Sequence, residues 1–122
     1  MHYLIIDDHL LFAGGLAGLL EQSLAPCDTT QVRTAEEAEQ VLNDMDEQPD
    51  LILMDLNLPD FRGKQAIRLL RRNLQLDTPI VVLSGEIKSE TVVQLRALAV
   101  TNFVSKTADF EKRLLEEIAK VL

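Results

Sequence analysis

Four short apolar runs, each stopped by a polar residue able to do chemistry, constrain this chain more than any other feature. Tyr3-Leu4-Ile5-Ile6 runs into Asp7-Asp8, and Leu51-Ile52-Leu53-Met54 into Asp55. Ile80-Val81-Val82-Leu83 ends on Ser84, and Phe103-Val104-Ser105 ends on Lys106. Continuous runs rich in Ile and Val, separated by helix-length segments, are the pattern of strands buried on both faces of a parallel sheet. Parallel strands point one way, so their carboxyl ends share one rim, where open α/β folds bind ligands. Three carboxylates, a hydroxyl and an ammonium therefore converge on one crevice. That is a phosphoryl-transfer site in outline.

At 122 residues the chain has room for one domain and a full core, not for two. Its 12 basic and 20 acidic residues give a formal charge of −8, which argues against gripping a phosphate backbone unaided. A role at DNA would need a partner or a second domain. No apolar run approaches the roughly 18 residues of a membrane span, and the start lacks the basic and long apolar regions of a signal peptide. The expected compartment is the cytoplasm. The single cysteine, Cys27, permits no internal disulfide and reads as a structural or loop thiol.

Strand and helix patterns alternate throughout, with no repeats or linkers. The first strand is expected over about residues 3–7, the second over 29–33, the third over 51–55, the fourth over 80–84 and the fifth over 102–105. Helices are expected from roughly Leu10 to Leu24, from Thr34 to Asp46, from Lys64 to Leu74, from Lys88 to Leu98 and from Asp109 to Leu122. Thr34 and Glu37 have capping-box spacing. Phe110, Leu114, Leu115, Ile118, Val121 and Leu122 form the apolar stripe of the last helix. Five βα units with right-handed crossovers make a three-layer α/β/α sandwich. The first helix is unusual, because Gly14, Gly15 and Gly18 each cost up to about 1 kcal/mol relative to Ala in a helix interior.

Each site residue has a plainer reading beside the functional one. Asp7 and Asp8 repel each other unless a hard cation sits between them and a third oxygen donor, although either could cap the first helix. Asp55 is a turn residue or a nucleophile; the loop of Leu56-Asn57-Leu58-Pro59-Asp60-Phe61-Arg62-Gly63 behind it favours the latter. A carboxylate nucleophile yields an acyl phosphate and needs positioning and charge neutralisation rather than a general base. A divalent ion with Lys106 would balance the three carboxylates. Ser84 is a turn former or a phosphoryl hydrogen-bond donor, and Lys106 an exposed strand-end lysine or a phosphate partner. His2 sits near a terminus and His9 reads as a helix-entry residue. No His and Cys cluster suits a transition metal.

Taken together, Ile6-Asp7-Asp8-His9 with Leu16 and Leu19-Leu20, Leu53-Met54-Asp55-Leu56-Asn57-Leu58-Pro59 with Gly63, Val82-Leu83-Ser84 and Phe103-Val104-Ser105-Lys106 closely resemble the receiver domains of two-component response regulators. The resemblance spans essentially the whole chain, and so implies one receiver domain over residues 1–122. The Asp-Asp-His opening and the Asp-Leu-Asn-Leu-Pro loop look most like the NarL/LuxR class. The resemblance implies a flavodoxin-like (CheY-like) fold, a five-stranded parallel sheet in the order 2-1-3-4-5. It further implies Asp55 as phosphoacceptor, Mg²⁺ held by Asp7, Asp8, Asp55 and the backbone carbonyl of Asn57, and Lys106 as the phosphate-pairing lysine. Ser84 matches the switch hydroxyl and Phe103 the switch aromatic, with a plain core aromatic as the alternative for Phe103. Asn57 and Glu86 are placed where they tune hydrolysis of the acyl phosphate.

Two departures stand out. Where many relatives have Gly-Ala-x-Gly before the last strand, this chain has Ala99-Val100-Thr101-Asn102; Asn tolerates a positive φ, so Asn102 can stand in for one glycine, while Ala99 is a less comfortable helix terminator, and the connection is expected to be shaped differently. Ala13 replaces a basic residue frequent in the first helix. Leu10, Leu11, Phe12 and Leu16 cannot all face the sheet, and Ala13, Gly14 and Ala17 would let another helix approach. That face either receives a kinase's helical phosphotransfer domain or packs on the last helix.

The implied function is a non-enzymatic phosphoacceptor for a sensor histidine kinase or phosphotransfer domain, with homodimerisation a further partner expectation. DNA is reached only through a C-terminal helix-turn-helix domain not in this chain; the alternative is a single-domain receiver serving as relay or interaction module. A haloacid-dehalogenase-type phosphatase would need a second Asp where Asn57 stands, and an FMN-binding flavodoxin would need a Ser/Thr/Gly-rich loop after the first strand.

Overall fold

A computed structural model describes residues 1–24, 26–56, 64–68, 70–71, 77–85, 88–107 and 109–122. Five strands, β1 (His2–Ile6), β2 (Asp28–Val32), β3 (Leu51–Asp55), β4 (Ile80–Ser84) and β5 (Asn102–Ser105), pair in parallel in the order β2-β1-β3-β4-β5. The helices are α1 (Leu10–Ser23), α2 (Ala35–Asp44), α3 (Lys64–Arg68), α4 (Ser89–Arg96) and α5 (Phe110–Val121). This is the expected flavodoxin-like sandwich. The first two strands begin a residue earlier than their apolar patterns suggest, because His2 and Asp28 pair across the β1–β2 ladder.

Alternation along the strands sorts side chains into two cores. Tyr3, Ile5, Leu53, Val81 and Val104 face α1 and α5, where they meet Ala13, Leu16, Leu20, Leu114 and Ile118. Leu4, Ile6, Ile52, Met54 and Val82 face α2, α3 and α4, where they meet Ala38, Ile67 and Leu95. Every residue of β3 and β4 is buried, which is why both read as unbroken apolar runs. At roughly 25 cal/mol per Å² of apolar surface, this double-sided burial is the main favourable term of folding.

Helix ends follow local chemistry. Thr34 Oγ1 accepts from the Glu37 N–H at 3.0 Å, as the capping-box spacing implied, and the Glu37 carboxylate accepts from the Arg33 N–H. After α2 the chain turns extended at Met45, two residues short of the expected helix end. The expected extension of α3 to Leu74 runs into residues 72–76, outside the described residues.

The positive φ before β5 belongs to Ala99 (φ 62°), the less comfortable terminator; Asn102, able to stand in for a glycine, is instead the first residue of β5. The Ala99 N–H donates to the Arg96 carbonyl and the Val100 N–H to the Leu95 carbonyl, both at 3.0 Å. Those two bonds make a Schellman closure, with Leu95 and Val100 as its buried apolar contact. The motif wins over residue preference: a left-handed Ala is tolerated because the closure satisfies two carbonyls and buries two side chains. Gly18 in α1 is the converse case, a helical glycine whose missing Cβ would meet nothing within 4 Å. Exchanging the two choices should therefore stabilise the domain. Ala99→Gly is expected to add about 1 kcal/mol by relieving the left-handed strain, and Gly18→Ala about 0.5–1 kcal/mol through helix propensity. Urea unfolding with an unchanged m-value would show both as higher midpoints.

Candidate functional site

Backbone register brings the strand-end polar residues to one rim. Ile6 pairs with Met54, which sets Asp7 beside Asp55, and Asp55 pairs with Leu83. Ser84 pairs with Ser105, and the Lys106 N–H donates to the Ser84 carbonyl at 2.8 Å. The ends of β1, β3, β4 and β5 thus contribute Asp7, Asp55, Ser84 and Lys106 in turn, as the apolar runs implied.

Asp7 and Asp55 are side-chain buried, 0% and 3% exposed, and the Lys106 ammonium lies between them. Nζ donates to Asp7 Oδ2 at 3.1 Å and to Asp55 Oδ2 at 3.2 Å. Buried carboxylates are tolerated only when paired, and this one cation serves both. Asp8 is the third acid of the cluster, less buried than the other two. Its Oδ1 is shielded from water and accepts no hydrogen bond. Formally, three carboxylates against one ammonium leave two negative charges.

Two further side chains enter the site. His9 is the N-cap residue of α1, as its helix-entry reading required, and its largely exposed ring lies beside the acidic trio, hydrogen-bonded to Asp7. Nδ1 lies 3.0 Å from Asp7 Oδ1, 3.4 Å from Asp8 Oδ1 and 3.5 Å from Asp55 Oδ2. Phe12, one helical turn on, places its ring under the Lys106 ammonium, 4.3 Å from Nζ to the centroid, and packs against Phe110 at 5.2 Å. An ammonium over an aromatic face gains about 0.5–2 kcal/mol, more as water is excluded. Both residues follow the acidic pair within the first turn of α1, and that adjacency was the available signal.

An oxygen-rich cluster with an unpartnered buried acceptor and excess negative charge fits a divalent cation. Asp7, Asp8, His9 and Asp55 each offer one donor atom, all within 4.8 Å of one another. Asn57 and Glu86, expected to act beside this cluster, lie outside the described residues. Ser84 is buried at the same rim. Phe103 is half-buried on the opposite face of the sheet from Phe12, packed with the core below α2, α3 and α4.

The family model described as "Response regulator receiver domain" matches residues 3–119. The chain belongs to this family. Among curated relatives of the receiver, the Bacillus subtilis transcriptional regulatory protein YdfI is 31% identical over 109 residues, 88% of this chain and 49% of that protein. The Escherichia coli nitrate/nitrite response regulator NarL is 40% identical over 91 residues, 74% of this chain and 40% of that one. The receiver thus spans about half the length, or less, of these relatives. The phosphorylated cyanobacterial phytochrome response regulator RcpA superimposes with a TM-score of 0.79 at 25% identity, covering 98% of this chain and 89% of that one.

The excess of acid in the receiver's site has a measurable consequence. Asp8→Asn keeps the side chain's shape and removes one of three clustered negative charges. Without divalent ions it should stabilise the domain by about 1 kcal/mol, the scale of one partly solvated charge repulsion. Thermal unfolding in chelator would register this as a raised Tm, and a lowered Tm would count against repulsion within the trio.

Proposed function

We propose that this receiver accepts a phosphoryl group on Asp55 from a sensor histidine kinase or phosphotransfer domain, in a reaction that needs Mg²⁺. The observation that carries the reading is the placement of Asp55: buried, at the end of the central strand, and ion-paired to a lysine shared with Asp7. In transfer, an Asp55 carboxylate oxygen bonds to phosphorus as the bond from phosphorus to the donor's imidazole nitrogen breaks. The imidazole leaves with that electron pair and takes a proton from solvent. Asp7, Asp8, Asp55 and the Asn57 carbonyl would hold Mg²⁺, and the ion would supply charge neutralisation for the phosphoryl oxygens. Lys106 pairs with one such oxygen as a point charge, and Ser84 supplies a hydroxyl donor from the next strand. Phe103 is the aromatic that responds to it, and Asn57 and Glu86 orient the water that ends the signal. Transfer to an acceptor within the protein makes the domain a switch rather than an enzyme acting on outside substrates.

Its context follows the relatives. The Asp7-Asp8-His9 opening and the likeness to NarL support the NarL/LuxR class, a DNA-binding helix-turn-helix output and regulation of transcription in the cytoplasm. One receiver domain over residues 1–122 agrees with the family match to 3–119. Among the described residues no helix is long and apolar enough to cross a membrane. Homodimerisation on phosphorylation belongs to the same reading, and a stand-alone relay receiver is the second one.

The kinase side of the reaction has a matching surface. Leu11 is 95% exposed and Leu10 60%, whereas Leu16 is buried against the sheet and Phe12 packs on α5. Ala13 and Ala17 are also buried, which corrects the expectation that they let another helix approach; only Gly14 of that set is on the open face. A groove of about 210 Å³ between α1 and α5 is lined by Leu11, Gly15, Leu19 and Phe110. An exposed apolar ridge of this kind suits a helical partner beside the acceptor.

Incubation with acetyl phosphate should give a phosphoryl adduct by mass spectrometry only when a divalent ion is present. Asp55→Asn should lose it, and an undiminished adduct in that variant would refute Asp55 as acceptor. Leu11→Glu should slow transfer from a cognate kinase at least about tenfold, the effect of roughly 1.4 kcal/mol at an interface, while acetyl phosphate labelling persists. Equal loss of both routes would place the fault in folding.

A further inference from the structure

We propose that Phe12 is a positioning residue for phosphoryl transfer: its aromatic face holds the Lys106 ammonium beside Asp55 both before and after the acceptor is modified. This rests on the reading that Asp55 accepts the phosphoryl group and Lys106 pairs with it.

The first argument is what restrains the ammonium. Lysine is a point charge on a flexible four-carbon stem, so its head group needs outside contacts to act at one place. Nζ donates to Asp7 Oδ2 at 3.1 Å and to Asp55 Oδ2 at 3.2 Å, and stands 4.3 Å from the centre of the Phe12 ring. Of these contacts the ion pair with Asp55 cannot outlast the reaction. Once an Asp55 oxygen is bonded to phosphorus, the carboxyl has lost its own charge, and Lys106 turns to the phosphoryl oxygens. The ring has no formal charge and shares no proton, so its attraction for the ammonium is independent of that exchange. Asp7 and Phe12 keep Lys106 in place while the third contact changes partner.

The second argument is that the ring is itself fixed. Phe12 lies half-buried in the first turn of α1, and its ring meets that of Phe110 at a centroid distance of 5.2 Å and a tilt of 52°. Phe110 is buried and opens α5, and Ala13 and Leu16 bury the same stretch of α1 against the sheet. Leucine would serve to fill the space between the two helices, as Leu16 and Leu19 do in the same groove. Only an aromatic ring also offers a cation a negative face. The Lys106 side chain is 20% exposed, so water screens that attraction only in part.

The test is the rate at which the whole chain is labelled by acetyl phosphate with Mg²⁺, read by mass spectrometry across a series at position 12. Phe12→Leu keeps an apolar side chain and removes the aromatic face; it should slow labelling by about threefold to tenfold. Because that exchange also alters packing, the ring is next replaced site-specifically by mono-, di- and trifluorinated phenylalanine. These keep the ring and its seat on Phe110 but withdraw electrons from its face. The rate should fall stepwise with fluorination, the trifluorinated form approaching Phe12→Leu. A rate unchanged in Phe12→Leu, or flat across the fluorinated forms, would overturn the proposal and leave the ring as packing alone. Position is read separately by NMR. The Lys106 Cε protons should be shifted upfield by the ring in wild type, unlike in Phe12→Leu, and the shift should survive saturation with acetyl phosphate and Mg²⁺. Its loss on phosphorylation would also overturn the proposal. A wild-type chain that takes no label, or an Asp55→Asn chain labelled as fast as wild type, would strike the phosphoacceptor reading and this proposal with it.

Discussion

A single ammonium between two buried carboxylates ties the sheet to its site. Lys106 reaches Asp7 and Asp55 from the end of β5, across β4, and removing it would leave two acids in a dry rim. Breaking a buried pair of this kind costs about 3–5 kcal/mol, a large part of the stability of a small domain. The pairing holds only in one register. A slip of β5 by one residue along β4 would turn Lys106 to the other face and exchange buried Val104 for its half-exposed neighbours. Polar convergence and apolar burial therefore select the same strand alignment, each penalising the errors of the other.

That agreement explains what could be read without coordinates. Asp7 and Asp55 were legible because each ends a run that is buried throughout, Lys106 because it follows a short apolar strand, and a parallel sheet has one carboxyl rim. The strand limits at β3, β4 and β5 were legible for the same reason. The left-handed residue before β5 was not, since Asn102 has the intrinsic preference and Ala99 has the hydrogen bonds. Propensity is a fraction of a kcal/mol to about 2 kcal/mol per residue, and a closure that satisfies two carbonyls outweighs it. His9 and Phe12 were visible only as a helix entry and an apolar helix residue. Their site contacts depend on where α1 leaves β1 and how α5 packs, neither of which has a periodicity to betray it.

Phe12 gives the site a mechanical connection that residue type alone does not suggest. Its ring touches the Lys106 ammonium on one side and Phe110 on the other. Phe110 opens α5, and α5 is bound back to β5 by the Asn102–Glu117 hydrogen bond at 2.9 Å. That bond, with Lys120 beside it, holds the Glu117 carboxyl below its ordinary value. A depressed carboxyl stabilises the fold above its unfolded value and loses that contribution as pH falls through the folded one. The attachment of α5 is thus firm at neutral pH. The lysine sits in a frame fixed from two helices and three strands, and a displacement of its head group is felt first by an aromatic pair rather than by the core.

The chain's electrostatics set the remaining condition. With a formal charge of −8, the molecule as a whole repels a phosphoryl donor. Attraction has to be local, and the rim supplies one ammonium against three carboxylates. Within a Debye length of about 8 Å at physiological salt, those nearest charges outweigh the distant surface acids. On the proposed reading, a cation joining Lys106 would change the site from repelling an anion to receiving one. The proposed dependence on a divalent ion is supported by charge count as much as by family membership.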